Sequence, residues 1–264
     1  MSKIIAEIGS NHCGDIELAK EMVIAASDAG ADIAKFQIWS VKNLKSGPWD
    51  EDGRTELYKK SELTKEKVSE LYEFCLEKNI KFLVSVFNKY DLDLLPKEYH
   101  DIIKIPSTEI DNLDLLKECR DRFDEMIIST GSSTIDEVYA AYNMCSPCCM
   151  MHCVNIYPCP FKDANLNRIG LLKNTFDKVG YSDHTIGLAA PIYAISHGCI
   201  YIEKHFTTNR DLPGRDNKFS IMPDDLATLC SIRDDINNMT QTRQHNYAKD
   251  EEEMRKVYRG RWGR

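Results

Sequence analysis

Eight short apolar runs, each set off from the next by a longer segment, constrain what this sequence can fold into more than any other feature. They are KIIAEIG (3–9), DIAKFQI (32–38), KFLVSVF (81–87), IIKIPS (102–107), EMIISTG (125–131), CMMHCV (149–154), KVGYSDH (178–184) and YIEKHF (201–206). Runs of this length suit strands buried on both faces. The segments between them are long enough for crossover helices, which parallel strands require. In DIELAKEMVIAASDAG, Asp15 is placed to cap a helix, Leu18, Met22, Ala25, Ala26 and Ala29 form an apolar stripe, and Gly30 can end it. In TKEKVSELYEFCLEKN, Thr64 is the candidate cap and Val68, Leu71, Tyr72 and Cys75 share a face. Before it, a polar stretch with Gly47, Pro48 and Gly53 reads as a long loop.

Eight strand-and-crossover units predict an α/β fold, a (β/α)8 TIM barrel formed as one domain over residues 1–240, with a tail at 241–264. Barrels of roughly 250 residues fold around one core. An open doubly wound sheet is the competing arrangement, but no G-x-G-x-x-G follows the first run.

The formal net charge of −8 argues against a nucleic-acid surface, which needs clustered Lys and Arg. The amino terminus lacks the pattern of a signal peptide and no segment has the roughly 20 apolar residues that span a bilayer, so a cytoplasmic protein without membrane contact is expected. Its ten cysteines should then stay reduced. Five of them fall in CSPCCMMHCVNIYPCP (145–160), where Cys145, Cys148 and His152 invite a zinc reading. Strand alternation sends Cys149, Met151 and Cys153 one way and His152 the other, so the stretch does not supply a closed tetrahedral site and reads as packing.

In a barrel, chemistry gathers where strands end. Those positions hold Glu7, Lys35, Gln37, Ser85, Lys104, Ser107, Glu109, Ser129, Thr130, Asn155, Tyr157, Ser182, His184, Glu203 and His205. Ser182 and His184 share one strand face, as do Glu203 and His205, so the two imidazoles can meet at the mouth with Glu7 and Glu203 nearby. That combination suggests an open metal site. Lys35 and Lys104 lie inside apolar runs and need anionic partners. A ligand carrying phosphate and carboxylate meets that need; so does a structural ion pair such as Lys104 with Glu109.

The segments AEIGSNHCGD, ADIAKFQ, KIPSTE, ISTGSS, HCVNIYPCPF, GYSDHTIG and IEKHFTTNRDLPGRDNKFS, in that order, closely resemble the sialic acid synthase family: the N-acetylneuraminate synthases and their legionaminate and pseudaminate relatives. The resemblance covers roughly residues 3–240. It implies a barrel enzyme, a transferase that condenses phosphoenolpyruvate with an N-acylated hexosamine aldehyde such as N-acetylmannosamine, using a divalent metal, Mn2+ or alternatively Mg2+ or Co2+. By the same resemblance His184 and His205 are the metal ligands and Glu7 the carboxylate that orients or deprotonates water. Lys35 and Ser85 fall near the phosphoenolpyruvate carboxylate; Lys104, Ser107, Ser129, Asn155 and Ser182 hold its phosphate. Tyr157, Gln37, Glu203 and Asp216 face the sugar. Ser85 departs from the threonine common in the pattern, which weakens the carboxylate assignment there.

Family members continue through a linker into a small antifreeze-like domain that lends an arginine to the partner in a homodimer. The ending EEEMRKVYRGRWGR resembles the start of that linker. A homodimer is the implied assembly, with the lid encoded separately, dispensed with or lying outside this sequence. Two other readings compete: a phosphoenolpyruvate-dependent synthase or metal-dependent aldolase for another aldehyde, and a non-catalytic barrel that binds a sugar or anion.

Overall fold

The computed structural model describes residues 1–241 and 247–263; of the expected tail, 242–246 and 264 lie outside the described residues. All eight runs form strands: β1 (Lys3–Gly9), β2 (Ile33–Ile38), β3 (Lys81–Val86), β4 (Ile102–Ile105), β5 (Glu125–Ser129), β6 (Cys149–Cys153), β7 (Val179–Asp183) and β8 (Tyr201–His205). They close in chain order into a parallel barrel, β8 pairing back on β1. The expected (β/α)8 architecture is therefore the observed one.

The helices are α1 (Ile16–Asp28), α2 (Arg54–Ser61), α3 (Lys65–Glu77), α4 (Leu113–Arg122), α5 (Ile135–Cys145), α6 (Asn167–Lys173), α7 (Ala189–Ser196), α8 (Pro223–Met239) and α9 (Glu251–Tyr258). Asp15 caps α1 by accepting the N–H groups of Glu17 and Leu18, and Thr64 caps α3 through Lys67. The expected stripe of α1 packs on the core, with Met22 and Ala26 buried and Leu18, Ala25 and Ala29 partly buried, and Ala19 and Val23 join its buried face. Two expectations are corrected. The long loop after β2 contains α2 and two short 3-10 turns. The β3 to β4 crossover has no α-helix, only a 3-10 stretch at Lys89–Leu94, and Pro96, two residues beyond it, cannot extend a helix.

Two apolar layers hold the molecule. The larger lies between strands and helices; the smaller fills the lower lumen with Ile5, Ile33, Leu83, Ile102, Ile127, Cys149, Met151 and Tyr201. All ten cysteines are unpaired. Cys145, Cys148 and Met150 belong to the outer layer and Cys149 and Met151 to the lumen, the alternation expected of β6. His152 faces outward, where a ring nitrogen meets Ala164 O at 2.9 Å. No described helix is long and apolar enough to cross a membrane.

Candidate functional site

Two residues further along each strand, the lumen changes character. Above the apolar layer stand Glu7, Lys35, Ser85, Lys104, Ser129, Cys153, Ser182 and Glu203, all buried. This end is where the strands finish and the βα loops begin.

The charges are interlocked. Lys35 Nζ lies 2.8 Å from Glu7 Oε2 and 3.6 Å from Glu203 Oε2. Lys104 Nζ donates to both oxygens of Glu203, at 3.2 and 3.0 Å. Ser182 Oγ donates to Glu203 Oε1 at 3.0 Å, and Gln37 Nε2 to Glu7 Oε1 at 2.6 Å. Burial alone would raise the Glu203 carboxyl, but Lys104 and Lys35 outweigh it and hold the group down at about 2. Lys35 is likewise pulled down by burial, yet Glu203 and Glu7 lift it above the ordinary lysine value. The anionic partner that Lys104 requires is thus Glu203, 99 residues away. Glu109, the alternative considered from sequence, instead accepts a bond from Asn112 at 2.9 Å. Glu203, placed on the sugar side by resemblance, is bonded here to Lys104 and Ser182 of the phosphate side.

Glu7 owes its aim to Gly9. The β1–β2 register shifts between Glu7 and Gly9, and Gly9 takes φ +55°. A Cβ there would also come within 3.1 Å of Glu7 Oε1 and 3.2 Å of Gln37 Nε2.

A second group of polar atoms forms a cradle beside Lys104. The Gly131 N–H donates to Ser107 Oγ at 2.9 Å. A Cβ on Gly131 would fall 2.4 Å from Asn155 Oδ1 and 2.9 Å from Ser107 Oγ, so only glycine leaves this hollow open. The buried Ser129 hydroxyl has no hydrogen-bond partner. Cys153 Sγ donates to Asn155 Oδ1 at 3.3 Å, and burial pushes its thiol up to about 11, so it stays protonated. Gly131 escaped the sequence reading of the site, although it lies within the quoted ISTGSS; its role depends on what stands opposite it.

At the rim, the His184 and His205 rings are 5.5 Å apart between centroids. Val154 O sits 2.6 Å from His184 Nδ1. A carbonyl only accepts, so Nδ1 carries the proton and Nε2 presents a lone pair. Burial, and then the neighbouring His205, pulls the His184 imidazole down to about 3, which keeps it neutral. His205 Nδ1 is buried without a hydrogen-bond partner, the Asp216 carboxylate being 3.9 Å away. Two imidazoles with uncommitted nitrogens fit a divalent cation. Tyr157 lies against His184 with ring centroids 4.0 Å apart, half exposed at the mouth. Ser85 Oγ accepts a bond from Lys35 Nζ at 3.3 Å.

The fourteen residues to which the resemblance assigns a role therefore stand at one end of the barrel. A separate group, His100, Asp101 and Asp124, brings three possible ligand atoms within 4.8 Å of one another; it is exposed and precedes β4 and β5, at the opposite end.

A model of the NeuB family matches residues 22–245. The chain is 37% identical over 247 residues to the N,N'-diacetyllegionaminic acid synthase of Campylobacter jejuni, covering 86% of this chain and 74% of that one. It is 35% identical over 236 residues to the pseudaminic acid synthase of Helicobacter pylori, covering 83% and 69%. The crystal structure of the N-acetylneuraminic acid synthetase from Leptospira borgpetersenii, in complex with citrate, matches with a TM-score of 0.87 at 34% identity, over 98% of this chain and 92% of that one.

Proposed function

The chain belongs to the NeuB family, and from that premise we propose that it condenses phosphoenolpyruvate with an N-acylated hexosamine aldehyde to give a nonulosonic acid and inorganic phosphate. The observation that carries the reading is the polar upper lumen: two lysines, two carboxylates and an open hydroxyl-and-amide cradle stacked beneath a pair of histidines.

Lys104, Ser107, Ser129, Gly131, Asn155 and Ser182 hold the phosphate, and Lys35 with Ser85 holds the carboxylate. Because Glu7 and Glu203 already neutralise the lysines, the trianionic substrate enters a site without excess positive charge. His184 and His205 would hold a divalent cation, manganese by resemblance. When bound, that ion would supply Lewis-acid polarisation of the acceptor carbonyl. The methylene carbon of phosphoenolpyruvate forms its bond to the aldehyde carbon, whose oxygen takes up a proton. Glu7, fixed by Lys35 and Gln37, orients water toward the resulting cationic carbon and takes its proton. The carbon-to-oxygen bond breaks and phosphate leaves into the cradle. Gln37, Tyr157, Glu203 and Asp216 are assigned to the acceptor side.

The ten unpaired cysteines support a reducing, cytoplasmic setting. Ile156, Tyr157, Phe161 and Ile186 form an exposed rim on which a lid would close. Lowering of the acceptor KM by an added antifreeze-like domain tests that closure.

Phosphate release tests the chemistry. It should require phosphoenolpyruvate, Mn2+ and an N-acylated hexosamine together. Release with simple sugar phosphates but not with N-acylated hexosamines would transfer the assignment to another aldehyde. No release with any aldehyde would favour a binding barrel.

A further inference from the structure

We propose that Asp183 and Lys204, a buried ion pair on the outer face of the barrel wall, are positioning residues that fix the spacing of His184 and His205; the proposal rests on the two-histidine cation site proposed above.

Asp183 and Lys204 are register partners across β7 and β8. Alternation turns Ser182 and Glu203 into the lumen and these two residues away from it. Each immediately precedes one of the histidines. Asp183 is 1% exposed and Lys204 2%, and Lys204 Nζ lies 2.6 Å from Asp183 Oδ2. Lys204 Nζ also donates to the carbonyl of Thr185. Asp183 Oδ1 accepts the Thr185 N–H at 2.8 Å and the Tyr181 hydroxyl at 2.9 Å, and Oδ2 accepts the Thr185 hydroxyl at 3.2 Å. Every polar group of Thr185 is thereby held by the pair.

His184 consequently sits between two anchored residues. Its own carbonyl accepts the Cys159 N–H at 2.8 Å, and its Nδ1 is engaged by Val154 O. Only Nε2 is left free. The same ammonium that clamps Thr185 belongs to the residue before His205, so one ion pair ties both histidines to a common point.

An apolar pair of similar volume would close the outer wall with less desolvation, so a buried ion pair is weak evidence for a role in stability alone. What it supplies here is directional restraint. Nitrogen ligands approach an ion to roughly 2.0–2.2 Å, so a shift of a few tenths of an ångström in one ring loosens the site.

The test measures Mn2+ affinity of the full chain without substrates, by titration of free Mn2+ in electron paramagnetic resonance, alongside phosphoenolpyruvate affinity and Tm. Lys204→Met and Asp183→Asn should weaken Mn2+ binding about ten- to hundredfold, leave phosphoenolpyruvate affinity within about twofold, and regain turnover at high Mn2+. Tyr181→Phe and Thr185→Val, which each remove one restraint, should weaken it several-fold. A folded Lys204→Met or Asp183→Asn protein with wild-type Mn2+ affinity overturns the proposal, whatever its Tm. If both fail to fold, wild-type affinity in Tyr181→Phe and Thr185→Val overturns it. His205→Ala separates the two levels: if it retains full Mn2+ affinity, the two-histidine reading falls and this proposal with it, whereas loss there with full affinity in Lys204→Met sinks this proposal alone.

Discussion

The lower and upper layers of the barrel lumen are built on the same strands, two residues apart, and are equally buried, yet one is apolar and the other charged. Ile5 gives way to Glu7, Ile33 to Lys35, Leu83 to Ser85, Ile102 to Lys104, Ile127 to Ser129 and Tyr201 to Glu203. Period-two alternation brings both members of each pair to the same face, so the change reflects position along the barrel axis. The lower layer needs only volume and shape. In the upper layer each charge must find a partner, and the chain meets that need with the Glu7, Lys35, Glu203 and Lys104 network. Packing alone decides the lower tier of the wall, and charge pairing decides the upper one.

The largest break in that comparison should come from removing one member of the network. Glu203→Leu leaves Lys104 buried without a carboxylate and Lys35 with Glu7 alone; chemical denaturation should show a loss of about 3–5 kcal/mol. Next comes acid. His12, in the loop just past β1, is lowered to about 4 by burial and then by Lys67, with Asp15 opposing. Its folded value lies below the ordinary 6.5, so the unfolded chain binds the proton more readily in between. The contribution is full above about pH 6.5 and is lost as pH falls towards 4, by on the order of 3 kcal/mol. His12→Asn should flatten this part of the stability profile, and an unchanged profile would show that the mouth is wetter than the lower layer.

Glu7→Gln keeps the bond from Gln37 but removes the carboxylate proposed as the base. Turnover should fall roughly a hundredfold while phosphoenolpyruvate affinity is preserved. Wild-type turnover would remove Glu7 from the mechanism. Gly131→Ala pushes a methyl group into the cradle and should raise the phosphoenolpyruvate KM about tenfold, equal to about 1.4 kcal/mol, with kcat at saturation little changed. The smallest effect belongs to the lower layer. Ile127→Val should cost about 0.5–1.5 kcal/mol of stability and leave phosphate release alone.

The same two layers explain what the sequence disclosed. The strands were legible because burial on both faces demands apolar runs, and polar residues interrupting those runs marked the upper layer. The buried side of α1 was harder to place: alanines at 19, 25, 26 and 29 carry little directional signal, and packing settled on Ala19, Met22, Val23 and Ala26. The partner of Lys104 was hidden because Glu109 is close in sequence whereas Glu203 becomes adjacent only when the barrel closes. Gly131 and the Asp183–Lys204 pair were illegible for the same reason, since each acts through residues that the fold brings to it.

In the proposed reaction the upper layer and its rim act as one phosphoenolpyruvate and cation site. Crystals of the full chain soaked with phosphoenolpyruvate and Mn2+, with anomalous data collected at the manganese edge, test it most directly. A manganese peak between His184 and His205 and phosphate density among Lys104, Ser107 and Gly131 are expected. Manganese bound only at His100, Asp101 and Asp124, with phosphate absent from the cradle, would contradict it.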